Sequence, residues 1–188
     1  MRRLVCWSLL LLSAAFAAAQ MVNIDTSASK VTVRVSKSGL FSAFAHNHTI
    51  SAPIASGHID VQRRSVELKF SAQEMKVMDP DVTDSDRAQI ERTMKSAVVL
   101  GVAQFPEIEF VSKTVEAAEA NGFLVHGELT LHGVSKPVDL PVTFSDGRYR
   151  GSVKLRQTDF AITPVKIAGG AVRVKDEIEV GFEIVAAK

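Results

Sequence analysis

Strict alternation of apolar and polar residues is the feature of this sequence that most limits its fold. Val31, Val33 and Val35 alternate with Thr32, Arg34 and Ser36. The same period of two runs through Val66, Leu68 and Phe70, then Phe123, Val125, Leu129 and Leu131. It continues in Val138, Leu140, Val142 and Phe144, in Val153 and Leu155, and in Ile178, Val180, Phe182 and Ile184. Successive strand side chains point to opposite faces, so each segment offers one face to a core and one to water. That pattern belongs to antiparallel sheets. Lys37-Ser38-Gly39, Asn121-Gly122 and Asp146-Gly147 supply turns between segments. Some eight or nine strands are expected, in a sandwich or a closed barrel.

One stretch leaves the pattern. From Thr83 to about Val99 the apolar residues Ile90, Met94, Ala97 and Val98 fall at helical spacing, and Arg87, Glu91 and Lys95 run four apart on another face. Thr83 or Asp84 can cap the start, just after Pro80. An amphipathic helix inserted between strands is expected to cover an opening or a face of the sheet.

With 188 residues, one domain accounts for the chain. The 22 basic residues nearly balance the 21 acidic ones, which removes the positive field that nonspecific nucleic-acid binding needs. A 23% charged fraction beside 46% hydrophobic residues excludes a disordered chain. Arg2 and Arg3, the apolar run Leu4 to Phe16 and Ala17-Ala18-Ala19 read as a secretory signal peptide over residues 1–19, ahead of a domain over 20–188. The competing reading is an uncleaved N-terminal anchor, for which the run is short. Cleavage places the protein in the periplasm or outside the cell. It also removes Cys6, the sole cysteine, so the domain is held by its own core without disulfides. Thiol chemistry and Cys-ligated metals are excluded with it.

There is no phosphate-cradling glycine loop and no serine elbow. The unusual constellation is His46-Asn47-His48, between Phe44 and Ile50. On a strand, Phe44, His46, His48 and Ile50 share a face. Two imidazoles beside apolar side chains suit a metal or the polar head of a ligand, with His58 as a further metal partner. The competing reading is that they face solvent and satisfy local hydrogen bonds. His126 and His132 lie on the face opposite Leu129 and Leu131, which points them to water. The triplet also spells a nuclease motif, but nothing around it resembles a ββα metal site. Pro141 marks an edge that disfavours sheet extension there; pairing with a second copy as a homodimer through another surface stays open.

The segment Glu128-Leu-Thr-Leu-His-Gly-Val-Ser-Lys-Pro-Val138, followed by Asp139-Leu-Pro-Val-Thr-Phe144, resembles the signature of the YceI-like family: a strand, a tight turn over Gly133 to Pro137, and a second strand. Gln104 to Phe110, Thr158 to Ile162 and Val174 to Val180 resemble further family segments in the same order, so the resemblance spans about Val22 to Ala186. Two departures stand out. The histidine triplet replaces a strand containing glycine and phenylalanine, and the segment between Phe160 and Val174 is short.

The resemblance implies an all-β fold, an extended eight-stranded antiparallel lipocalin-like barrel with one inserted helix, whose interior holds a polyprenyl lipid or an isoprenoid quinone without catalysis. A barrel of that size has room for one ligand. The expected apolar lining is Phe44, Leu68, Phe70, Leu129, Leu131, Val142 and Phe182, with His46 and His48 as polar contacts. No cofactor beyond the lipid, no metal and no nucleic acid is expected, and no membrane span remains after cleavage. Two further readings stay open: a metal- or haem-associated electron-transfer accessory protein using His46 and His48, and a hydrolase or isomerase on the same barrel. Alternation alone does not separate a hollow barrel from a filled one.

Overall fold

A computed structural model describes residues 21–38, 47–119, 121–167 and 172–187. The segment read as a signal peptide, Phe44 and His46 lie outside the described residues. The strands are β1 (Met21–Asn23), β2 (Lys30–Ser38), β3 (His48–Ser51), β4 (Ile54–Asp60), β5 (Ser65–Ser71), β6 (Lys76–Val77), β7 (Glu107–Ala118), β8 (Gly122–Leu131), β9 (Val134–Ser145), β10 (Arg148–Arg156), β11 (Lys166–Ile167) and β12 (Val172–Val185). One helix, α1 (Asp84–Lys95), lies between β6 and β7.

The strands form one antiparallel sheet in the order β1-β4-β5-β7-β8-β9-β10-β12-β2-β3-β6, with β11 on β12. The expected eight-stranded closed barrel is therefore corrected. Among the described residues the sheet has eleven strands on its main path, curls strongly, and ends at β1 and β6 without closing a continuous ladder. The reason lies partly at Ala52-Pro53, between β3 and β4. Proline cannot donate to a ladder, and the chain changes partner across it. β3 pairs with β2, whereas β4 pairs with β5 and β1. At the other seam the Asp25 amide donates to the Val185 carbonyl at 2.8 Å and the Ala187 amide to Asn23 at 2.7 Å. These contacts tie the end of β1 and the residues after it to the end of β12.

Two hairpins show how local sequence sets register. Asp146 and Gly147 have φ of 52° and 73°, and His132 and Gly133 have 53° and 73°. Left-handed pairs of this kind join strands whose twist matches theirs. Leu131 faces Val134 directly, so the β8–β9 turn is His132-Gly133 and β9 begins at Val134. The expected turn over Gly133 to Pro137 is thereby shortened.

The helix begins where the sequence indicates, because the Thr83 hydroxyl accepts from the Asp86 amide at 3.1 Å. It stops at Lys95 rather than near Val99, capped by Ser96, whose amide bonds back to the Arg92 and Thr93 carbonyls. Lys95 approaches Glu91 at 3.9 Å as expected. Arg87 is drawn elsewhere, donating to the Val77 and Val82 carbonyls. Among the described residues, no helix is long and apolar enough to cross a membrane.

Candidate functional site: an apolar cavity

The inward side chains of the curled sheet do not fill its interior. They enclose a cavity of about 890 Å³, toward the upper end of ordinary ligand sites. That volume is the share of about thirty liquid water molecules. Leu68, Phe70, Leu129, Leu131, Val142 and Phe182 all line it, contributed by β5, β8, β9 and β12. Leu131, Val142 and Phe70 are buried, and Leu68, Leu129 and Phe182 are half-buried against the space. The alternation puts them there because each occupies the inward position of its strand. His48 also lines the cavity.

Polar groups gather where β2 ends and β3 begins. Lys37 and His48 line the cavity here, and Gln89 and Thr93 reach it from α1. His48 Nδ1 donates to Asp79 Oδ2 at 2.6 Å. The other carboxylate oxygen of Asp79 accepts the Thr49 amide at 2.7 Å. Asp79 is 6% exposed, so a buried carboxylate is satisfied by a side chain and a backbone group on one strand. With Nδ1 engaged, Nε2 is the ring nitrogen left for a ligand. Burial lowers the Lys37 pKa below the ordinary lysine value, while the nearby Asp79 charge acts against that shift.

Helix α1 is fixed over the cavity by polar contacts at its rim. Glu91 Oε1 accepts the Val77 amide at 2.9 Å, and Arg87 donates to the Val77 carbonyl at 3.0 Å. Ile90 and Met94 point from its underside into the cavity lining. The expectation that the helix covers an opening or a sheet face is met in this form.

Asp60, Arg64 and Ser65 line the cavity at the turn between β4 and β5. Asp60 is 2% exposed, and its Oδ1 accepts the Gln62 and Arg63 amides at 3.0 and 2.9 Å. This is a side chain closing its own turn. Its Oδ2 has no hydrogen-bond donor and lies 3.8 Å from Arg63 Nε.

The other histidines do not join His48. His58 faces Glu67 across β4 and β5 at 3.8 Å. His126 bonds Asp139 at 2.7 Å on the partly exposed outer face, as its strand position indicates. His132 differs from expectation. Its turn conformation folds the ring against Phe105, with centroids 4.5 Å apart, and Nδ1 donates to the Phe160 carbonyl at 3.2 Å. Among the described residues, no three His, Cys, Asp or Glu side chains are grouped to hold a metal.

Sequence reasoning does not find Asp79, Lys37, Gln89 or Thr93 as site residues. Asp79 lies 31 residues from His48, a separation that carries no local signal. The one hint is Asp79-Pro80 standing just before a capped helix.

Comparison with known proteins places this geometry. A YceI-like domain model matches residues 22–186. A UPF0312 protein of Pseudomonas syringae pv. syringae is 33% identical over 114 residues, which is 55% of this chain and 57% of the relative. A UPF0312 protein of Yersinia enterocolitica is 34% identical over 99 residues, 46% of this chain and 50% of the relative. The chain thus aligns with about half the length of these curated relatives. Burkholderia cenocepacia BcnA superposes with a TM-score of 0.64 at 18% identity, covering 88% of this chain and 99% of BcnA. A polyisoprenoid-binding domain from Saccharophagus degradans, implicated in plant cell wall breakdown, gives 0.59 at 15% identity, covering 88% and 97%. The structural likenesses share the curled sheet and its helix at identities that speak for fold alone. The family match runs from β1 to the bridge that follows β12, taking in every strand that walls the cavity, and on that span the chain belongs to the YceI-like family.

Proposed function

We propose that this protein is a non-catalytic, exported carrier that holds one isoprenoid-type lipid, a polyprenyl lipid or an isoprenoid quinone, inside its curled sheet. The observation that carries the reading is the cavity: about 890 Å³ of space walled by Val, Leu, Ile and Phe, with its polar groups confined to few places. Each methylene moved from water to such a lining contributes about 0.8 kcal/mol. A branched hydrocarbon tail therefore binds without any reactive group. The polyisoprenoid-binding description of the Saccharophagus domain supports the same ligand class.

In this reading the tail lies among Leu68, Leu129 and Phe182, and the head rests between Lys37 and His48. The Lys37 ammonium is suited to donate to an oxygen of a quinone ring or a prenyl head group, and Nε2 of His48, an acceptor while Nδ1 donates to Asp79, to accept from a head-group hydroxyl. The periplasm or cell exterior is the assigned compartment, from the basic, apolar and small-residue order of residues 1–19.

Native mass spectrometry of protein purified from its own cell envelope, followed by organic extraction, tests this. One isoprenoid lipid per chain is the expected result. A protein that carries none, and takes up none from isoprenoid-containing vesicles, would overturn it.

A further inference from the structure

The wall of the sheet is split between β9 and β10. Their ladder runs from Arg148↔Ser145 to Gly151↔Val142 and stops. Beyond it, residues 137–141 of β9 and 152–156 of β10 would face one another in the same register, yet none pair. β9 stays fully paired with β8 across this stretch, and β10 with β12. The gap is thus a local parting of two strands that are each held on their far side.

Two prolines account for it. The Phe144 amide donates to the Asn121 carbonyl, so even-numbered amides of β9 point toward β8. Amides alternate along a strand, so residues 137, 139 and 141 turn theirs toward β10. Positions 137 and 141 are proline and have no N–H. Two of the three donors that β9 would present to β10 along this stretch are missing.

The parting opens outward as a second pocket of about 590 Å³, rimmed by Lys136, Lys154 and Arg156. Val138, Val153, Leu155 and Phe160 line both this pocket and the inner cavity. No backbone ladder separates the two spaces here, and the partition consists of side chains. Phe160 is 2% exposed and sits on a short 3₁₀ turn, Gln157–Phe160, whose end is held by the His132 bond to the Phe160 carbonyl.

We infer that the parting between β9 and β10 is a lateral portal through which an apolar chain enters and leaves the cavity, with Phe160 as its movable plug. A hydrocarbon tail threading sideways meets only side chains, which move by rotamer change, and need not break a ladder. This rests on the cavity being the ligand's site, as proposed above.

The experiment measures association of 1-aminoanthracene, a fluorescent apolar probe of cavities, by stopped flow, so that it does not depend on the natural lipid. Lys154→Cys is labelled with a bulky maleimide at the exposed rim. Lys113→Cys on β7, which lines neither space, is labelled as control. Phe160→Leu makes the plug smaller. The portal predicts that the label at position 154 slows association at least tenfold with equilibrium affinity within twofold. It also predicts that the label at position 113 changes nothing and that Phe160→Leu speeds association at least threefold. Equal rates for the two labelled proteins would overturn the portal even if Phe160→Leu proved too unstable to assay. Probe binding with a portal effect but no isoprenoid uptake would leave the portal standing and remove the proposed ligand instead.

Discussion

His48 and Asp79, 31 residues apart, meet at 2.6 Å and join the start of β3 to the segment leading into α1. The bond holds two parts of the chain together and orients the imidazole beside Lys37 in the cavity lining. Met78 reinforces the joint, its amide donating to the Thr49 carbonyl at 2.8 Å.

Replacing Asp79 with Ala leaves the Thr49 amide and His48 Nδ1 without their acceptor. A loss of about 2–3 kcal/mol is expected, in line with bonds to charged groups. Urea unfolding of Asp79→Ala, His48→Ala and the double variant measures the coupling, expected at about 1 kcal/mol or more. Strictly additive losses would show that the pair contributes nothing jointly.

Lys37→Met should leave stability within about 0.5 kcal/mol of the parent, because burial already disfavours the ammonium it removes. Retention of a lipid with an oxygenated head should fall several-fold while a head-less isoprenoid hydrocarbon is held as before. Competition binding with the two ligands reads the difference.

Leu129→Asp puts a carboxylate against the apolar cavity lining. Loss of bound lipid is expected, with destabilisation of about 3 kcal/mol. A folded variant that still carries lipid would show that Leu129 does not face the ligand.

Phe160→Ala removes a side chain that is 2% exposed. About 3–5 kcal/mol of stability should be lost, the usual range for a buried phenylalanine. Chemical denaturation gives the value directly, and a cost under about 1 kcal/mol would mean that the neighbouring wall collapses to fill the space.

Stability should also depend on acid. The Thr158 backbone N–H chiefly holds the Asp176 carboxyl below its usual value, and the Arg150 hydrogen bond does the same for Glu183. A carboxyl whose folded pKa is lowered adds stability above its unfolded pKa, and that stability is lost as pH falls through the folded value. The melting temperature should therefore drop below about pH 4. Asp176→Asn should flatten that fall in a series of thermal melts.

Several parts of the fold are legible because they are written locally. Thr83 caps α1, and Asp146-Gly147 makes its hairpin, since both depend on residues a few positions apart. Inward positions such as Leu68 and Phe182 follow from alternation. The strand count does not follow, because pairing partners are not written in alternation: across Ala52-Pro53 the chain passes from β2 to β5 and β1. His132 departs from its expected place for a similar reason: a left-handed turn residue leaves the strand's alternation and packs against Phe105.

The order of residues dictates which side of each strand is apolar, where the helix starts and where β9 loses two donors to proline. These are properties of near neighbours and of the backbone's period of two. The folded arrangement alone establishes that the inward side chains leave a cavity, that Asp79 reaches His48, and that β9 and β10 part beside Phe160. Each of those depends on how far the curled sheet brings distant segments together, and a one-dimensional pattern of apolar and polar residues does not encode the distance across the space they enclose.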